Sequence, residues 1–166
     1  GAVFSYDELK LLPESGSLTF VSQGSSGAYQ TLYIKSYKTI VVKRISQSDD
    51  YTIVDKYSGA NSLVIDPDTT RISVTDQDGN ELAFSSIATG DVVNAAVSDD
   101  GKNVELICVR DEFLGTYSGY GTDYIEVDGS QYRLSYTLKS NISSQISVGQ
   151  KAIFRLDIDH RVADVI

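Results

Sequence analysis

The run Asp91-Val92-Val93-Asn94-Ala95-Ala96-Val97-Ser98-Asp99-Asp100-Gly101-Lys102-Asn103-Val104-Glu105-Leu106-Ile107 decides the fold. Two apolar, β-branched segments flank Asp100-Gly101, and Asp-Gly supplies the positive φ angles that a two-residue hairpin turn needs. The run then comes back. Asp100-Gly101-Lys102 returns as Asp159-His160-Arg161, and Val104-Glu105-Leu106-Ile107 returns as Ala163-Asp164-Val165-Ile166. Upstream, Ser85, Ile87 and Gly90 return as Ser144, Ile146 and Gly149. Further back, Tyr57-Ser58-Gly59 matches Tyr117-Ser118-Gly119, and Val64-Ile65-Asp66 matches Tyr124-Ile125-Glu126. The period is 59 to 60 residues, with copies over 57–107 and 117–166. A fixed period marks a repeated supersecondary unit. The middle of the repeat loses register, where Asp66-Pro-Asp-Thr-Thr70 is inserted in the first copy.

Strand text dominates the rest. Residues 39–45, 51–54, 62–65, 71–75, 124–127, 132–136 and 152–156 are short runs rich in β-branched and aromatic residues. Such runs, broken roughly every 8–12 residues by turn residues, read as a barrel or sandwich. Asp78-Gly79 and Asp128-Gly129 are two more hairpin turns. Helix signals amount to single turns: residues 5–12 before Pro13, 85–88 before Gly90, and 140–145 before Gly149. Residues 22–27 read as a flexible turn. The expectation is an all-β chain of two tandem small β-barrels of related topology, with at most short helical turns. The first barrel, residues 1–112, is larger because it carries an N-terminal extension, and the second spans 113–166. They should meet near residues 110–112, the short polar segment between them. Gly90 and Gly149 should play one structural role, each closing a turn and opening a strand in a conformation that side chains resist.

Composition narrows the function. At 166 residues the chain can bury roughly two thirds of its unfolded surface. With 14 Lys+Arg against 23 Asp+Glu the formal charge is −9, which repels nucleic-acid phosphates and anionic lipid. Neither nucleic acid nor direct membrane insertion is therefore expected. The single cysteine, Cys108, excludes an intrachain disulfide and a Cys-based zinc site, and its apolar strand context reads as a buried structural thiol. The chain starts Gly1-Ala2, contains no methionine, and stops inside the strand-like run Arg161-Val-Ala-Asp-Val-Ile166. It reads as a piece excised from a longer polypeptide.

No catalytic set is legible. His160 is the only histidine, and a hairpin turn is a poor seat for an oriented general base. Asp76-Gln-Asp-Gly-Asn80 has the look of a calcium loop but lacks the distant bidentate Glu, so a hairpin is the better reading. Catalytic residues, metal ligands and cofactors are accordingly all expected to be absent. Tyrosine is the unusual residue, with 11 Tyr against 5 Phe and no Trp. Tyr117, Tyr120 and Tyr124 lie in one short stretch, and tyrosine offers an apolar face with a polar tip suited to sugars or proteins. These three are the candidate ligand-binding residues. The alternative is that tyrosine simply suits strands and covers a thin barrel.

Several motifs in order carry a resemblance. Leu11-Leu-Pro-Glu-Ser-Gly-Ser-Leu-Thr-Phe20 leads to Tyr33-Ile-Lys-Ser-Tyr-Lys-Thr-Ile-Val-Val42, then Thr89-Gly-Asp-Val-Val93 and Ser98-Asp-Asp-Gly-Lys102. Tyr124-Ile-Glu-Val-Asp-Gly-Ser-Gln-Tyr132 and Phe154-Arg-Leu-Asp157 follow, before Val162-Ala163. Together they resemble the β-barrel repeat modules of cell-surface proteins of clostridia-like Firmicutes, which often accompany S-layer-homology or other wall-binding segments. The resemblance implies an extracellular, cell-wall-associated, non-catalytic module that spaces or displays neighbouring domains of the same polypeptide. Cell-wall glycan or a surface protein would be its further partners. That family's acidic loop after the first strand is replaced here by Val21-Ser-Gln-Gly-Ser-Ser-Gly27, which has no carboxylate. A carbohydrate-binding module appended to a cell-wall enzyme is the second reading.

Overall fold

The computed structural model describes residues 13–22 and 31–166. The helical turn expected at 5–12, and all but the first residue or two of the carboxylate-free 21–27 loop, lie outside the described residues. The chain divides into two compact units, Gly1–Lys38 and Thr39–Ile166. In the first, β1 (Gly16–Val21) and β2 (Thr31–Ser36) pair antiparallel, with Leu18 opposite Ile34 and Phe20 opposite Leu32. Cross-strand partners share a face, so the ribbon gathers these four apolar residues on one side.

The second unit holds two sheets. One is built from β3 (Lys38–Gln47), β4 (Tyr51–Asp55), β5 (Leu63–Ile65), β6 (Arg71–Asp76), β7 (Val92–Val97) and β8 (Asn103–Val109), in the order β5-β4-β3-β7-β8-β6. The other is built from β9 (Glu112–Tyr120), β10 (Tyr124–Val127), β11 (Ser130–Arg133), β12 (Lys151–Leu156) and β13 (Val162–Val165), in the order β11-β10-β9-β12-β13. The change from one to the other falls at Arg110 and Asp111.

The two sheets repeat one plan: a three-strand meander, a helical turn, then a hairpin that returns to the first strand. Asn94 pairs with Ile107, and Ile153 exchanges both hydrogen bonds with Ile166, so both positions advance by 59 (153 − 94 and 166 − 107). The Gly90 amide donates to Val42 O at 2.7 Å, and the Gly149 amide donates to Tyr117 O at 2.7 Å. Both glycines are left-handed, at φ 91° and 88°, as expected from sequence. Gly101 and His160 match too, at φ 70° and 56° in the two hairpin turns.

The front of the repeat differs from the sequence reading. Tyr117 lies on β9, whose counterpart is β3, so its partner position is Val42 rather than Tyr57. Likewise β10 corresponds to β4, since each pairs with the first strand of its meander, and not to the β5 text at 64–66. Even a bulge is shared: register slips between Val42 and Arg44 on β3, and between Tyr117 and Gly119 on β9. Sequence matching failed here because the loops between these strands differ in length.

The all-β class with short helical turns is observed. The sheets are open where closed barrels were expected. In the first sheet Asp66-Pro67 breaks the third strand into β5 and β6, which form the two edges. β6 then runs parallel to β8. In the second sheet only a parallel bridge from Leu134 to Val162 spans the gap. There Ser135 stops the strand by capping α1 (Tyr136–Lys139), its side chain accepting from the Leu138 amide. Sequence reading had continued that strand to Tyr136. The strand order is that of a partly open OB-type barrel, a scaffold that does not by itself name a ligand.

Each sheet wraps its own core. Ile40, Val42, Ile53, Val93 and Leu106 anchor the first. In the second, Phe113 stacks between Tyr132 at 4.4 Å and Phe154 at 5.2 Å, over Leu138 and Ile142 from α1 and α2 (Ile142–Gln145). Each aliphatic side chain fully buried in this way contributes about 1.5–3 kcal/mol.

Candidate functional site

Strands β3, β7 and β13 are buried on both faces over much of their length, which a sheet with one wet face would not show. Their second faces meet. Val41, Val92 and Val109 of the first repeat pack with Ala163 of the second, and Ile107 and Ile158 flank the cluster.

Two buried carboxylates frame this joint. Asp164 Oδ1 accepts from Lys56 Nζ at 2.6 Å and from Tyr57 Oη at 2.6 Å, both from the other repeat. Arg155 Nη1 stands 3.8 Å from Asp164 Oδ2 and donates to Gly90 O at 2.6 Å. Asp157 Oδ2 accepts from Thr39 Oγ1 at 3.2 Å and from Arg161 Nε at 2.9 Å, while its Oδ1 takes the Asp159 and Arg161 amides. Asn94 extends the Asp157 system across the joint, donating to Thr39 Oγ1 and accepting from the Ile158 amide. Burial pushes the Tyr57 phenol up, and its bond to Asp164 pushes it further, so it stays a donor. A buried charge is tolerated when paired and hydrogen-bonded, and both carboxylates meet that condition. The arrangement is that of a lock between repeats.

Sequence reading missed these residues. The available signal was a polar residue within an apolar run: Asn94 inside β7 and Asp164 inside β13. Such a residue either faces water or holds a buried partner.

The three sequence-nominated tyrosines part company. Tyr117 is buried in the second core, 1% exposed, and its phenol oxygen has no hydrogen-bond partner among the described residues. Tyr120 is 62% exposed. It pairs with Ile125 and so faces the same side as Tyr117, because the Ser118 bulge shifts the alternation by one. Tyr124, next to Ile125 on β10, points to the opposite side, where its ring covers Gly121. Tyr124 is therefore separated from the other two.

The remaining candidates make local contacts. Cys108 is buried and shares the Asp91 carboxylate with Arg110, and burial pushes its thiol up to about 12. His160 holds a positive-φ turn position. Asp76 folds its carboxylate onto the amides of Asp78 and Asn80 and the side-chain amide of Asn80, closing its own turn. Among the described residues, no group of three or more His, Cys, Asp or Glu is arranged to hold a metal ion. Comparison with known proteins returns no matching family model, no matching curated protein and no matching solved structure.

Proposed function

We propose that this chain is a non-catalytic structural or adhesive module of a larger extracellular, cell-wall-associated protein, where it spaces or displays neighbouring domains. The observation that carries the reading is the joint. Two repeats are locked by an apolar cluster and by two buried, fully paired carboxylates, Asp157 and Asp164. A spacer transmits position only if its own parts do not swing, and an interface of this kind removes that freedom. The resemblance to surface-protein repeat modules points the same way, and the net charge of −9 argues against direct electrostatic adhesion to anionic wall polymers.

The test is a spin-label distance measurement between exposed positions 68 and 130, one on each repeat. A single narrow distribution is expected, and a broad one would overturn the spacer reading. The chain should also stay in solution when mixed with purified cell walls and leave wall glycan uncut; robust hydrolysis refutes the non-catalytic part.

A second reading, a carbohydrate-binding module appended to a cell-wall enzyme, draws on the exposed ring of Tyr120.

A further inference from the structure

The second repeat packs on the outer face of the first sheet, and the two sheets differ at matching rows of that face. In the first repeat one row crosses three strands: Thr39 on β3, Asn94 on β7 and Ile107 on β8. The second repeat covers it. Asp157 accepts from Thr39, the Ile158 amide donates to Asn94, and Ile107 and Ile158 flank one apolar cluster. In the second repeat the same row is Leu114 on β9, Ile153 on β12 and Ile166 at the end of β13. Leu114 stands three residues before Tyr117, as Thr39 does before Val42 (117 − 114 and 42 − 39). Ile153 and Ile166 are the 59-residue matches of Asn94 and Ile107. Their neighbours Phe113, Phe154 and Val165 enter the second core, so this row points outward. Leu114 is 59% exposed and Ile166 54%. Polarity and burial are thus inverted between the repeats. The covered row is polar at Thr39 and Asn94, and the open row is apolar throughout. Apolar side chains contiguous on an open face, unlike single scattered ones, mark an interaction surface.

We infer that the row Leu114–Ile153–Ile166 is the interface through which a second copy of this chain pairs with the first, outer face to outer face, in a two-fold dimer. The matching face of the first repeat already receives a unit of this fold. A further repeat docked in that same way is the poorer occupant. Its last strand would meet Thr116 and Lys151, which stand where the first repeat has Val41 and Val92 (116 − 41 = 117 − 42; 151 − 92 = 59). The Lys151 ammonium would then be buried where a valine packs. Two-fold pairing leaves Lys151 at the rim and sets one apolar row on another, because both copies offer the same patch. The row is bounded by Lys151 on one side and Glu112 on the other, both exposed. A two-fold axis along the row exchanges these sides, which brings Lys151 of each copy beside Glu112 of the other. Arg155, on the Glu112 side, is drawn into the joint by Gly90 O and Asp164. The inference rests on the geometry of the repeats and is independent of the spacer reading.

The experiment is sedimentation velocity on the whole chain between about 1 μM and about 1 mM. A contact centred on three side chains per copy is small, so a reversible monomer–dimer shift is expected with Kd on the order of 100 μM. Leu114→Lys should weaken dimerisation at least about tenfold. Ile166→Lys, an exposed change at the last residue, should do the same without touching the core. Lys151→Glu should also weaken it, by setting two carboxylates together at each rim. Val64→Lys alters an exposed apolar residue of the first repeat and should leave dimerisation unchanged. A chain that stays monomeric up to about 1 mM overturns the assignment. So does dimerisation that survives both Leu114→Lys and Ile166→Lys, or that Val64→Lys weakens equally.

Discussion

Lys56 Nζ lies 2.6 Å from Asp164 Oδ1, joining residues 108 positions apart and on different repeats. The Asp164 side chain is 2% exposed and that of Lys56 32%, so the pair is shielded on one side only. Removing the carboxylate strands the Lys56 ammonium and the Tyr57 hydroxyl. Asp164→Ala should therefore destabilise the chain by about 2–4 kcal/mol in urea denaturation. It should also split one unfolding transition into two. An unchanged single transition would show that the joint rests on the Val41, Val92 and Ala163 contacts alone.

Gly90 and Gly149 should fail alike when given side chains. Both hold φ near +90°, where a β-branched residue is strained, so Gly149→Val should cost about 1–3 kcal/mol. Gly90→Val should cost more. A Cβ there would come 2.6 Å from Arg155 Nη1, displacing the guanidinium that spans the joint. Wild-type melting temperatures in both variants would sink the claim of a shared role.

Tyr117→Phe should raise stability by about 1 kcal/mol, since it deletes a buried hydroxyl with no partner and keeps the ring. Thermal melts decide this. A clear loss of stability would mean that the hydroxyl has a partner in solution.

Asp91 is the residue to follow with pH. Burial raises its carboxyl, but Arg110, the Ala88 amide and the Cys108 thiol outweigh this and hold it below its ordinary value of 3.8. A carboxyl depressed in the folded state adds stability above its unfolded pKa, and that stability is lost as pH falls through the folded pKa. Arg110→Gln should therefore cost up to about 1 kcal/mol near pH 7, a small effect because Arg110 is half exposed. The gap between variant and wild type should close as pH falls below the ordinary carboxyl value of 3.8 and through the depressed folded value. A gap that stays constant through the acid range would rule out the ion pair as its source.

Sequence by itself determined the features that rest on local sterics. Asp128-Gly129, Gly101, Gly90 and Gly149 all adopt the positive φ that their residue types favour, because that preference needs no distant partner, whereas Asp100 keeps a negative φ and the hairpin there closes from Ser98 to Asn103 rather than as the two-residue turn expected. The 59-residue period over the returning hairpins was legible because the paired positions on their two strands are separated by the same number of residues, 13 between Asn94 and Ile107 and 13 between Ile153 and Ile166. Tertiary structure decided the rest. Whether Asp164 meets water or Lys56 depends on a strand more than 100 positions away, and nothing in the run Val162–Val165 encodes that neighbour. Tyr117, Tyr120 and Tyr124 read as one cluster along the chain, yet a bulge and the period-two alternation of strands send one ring into the core, one into solvent and one to the opposite face. Side-chain direction in a sheet is set by register with the neighbouring strand, and register is a property of the assembled sheet.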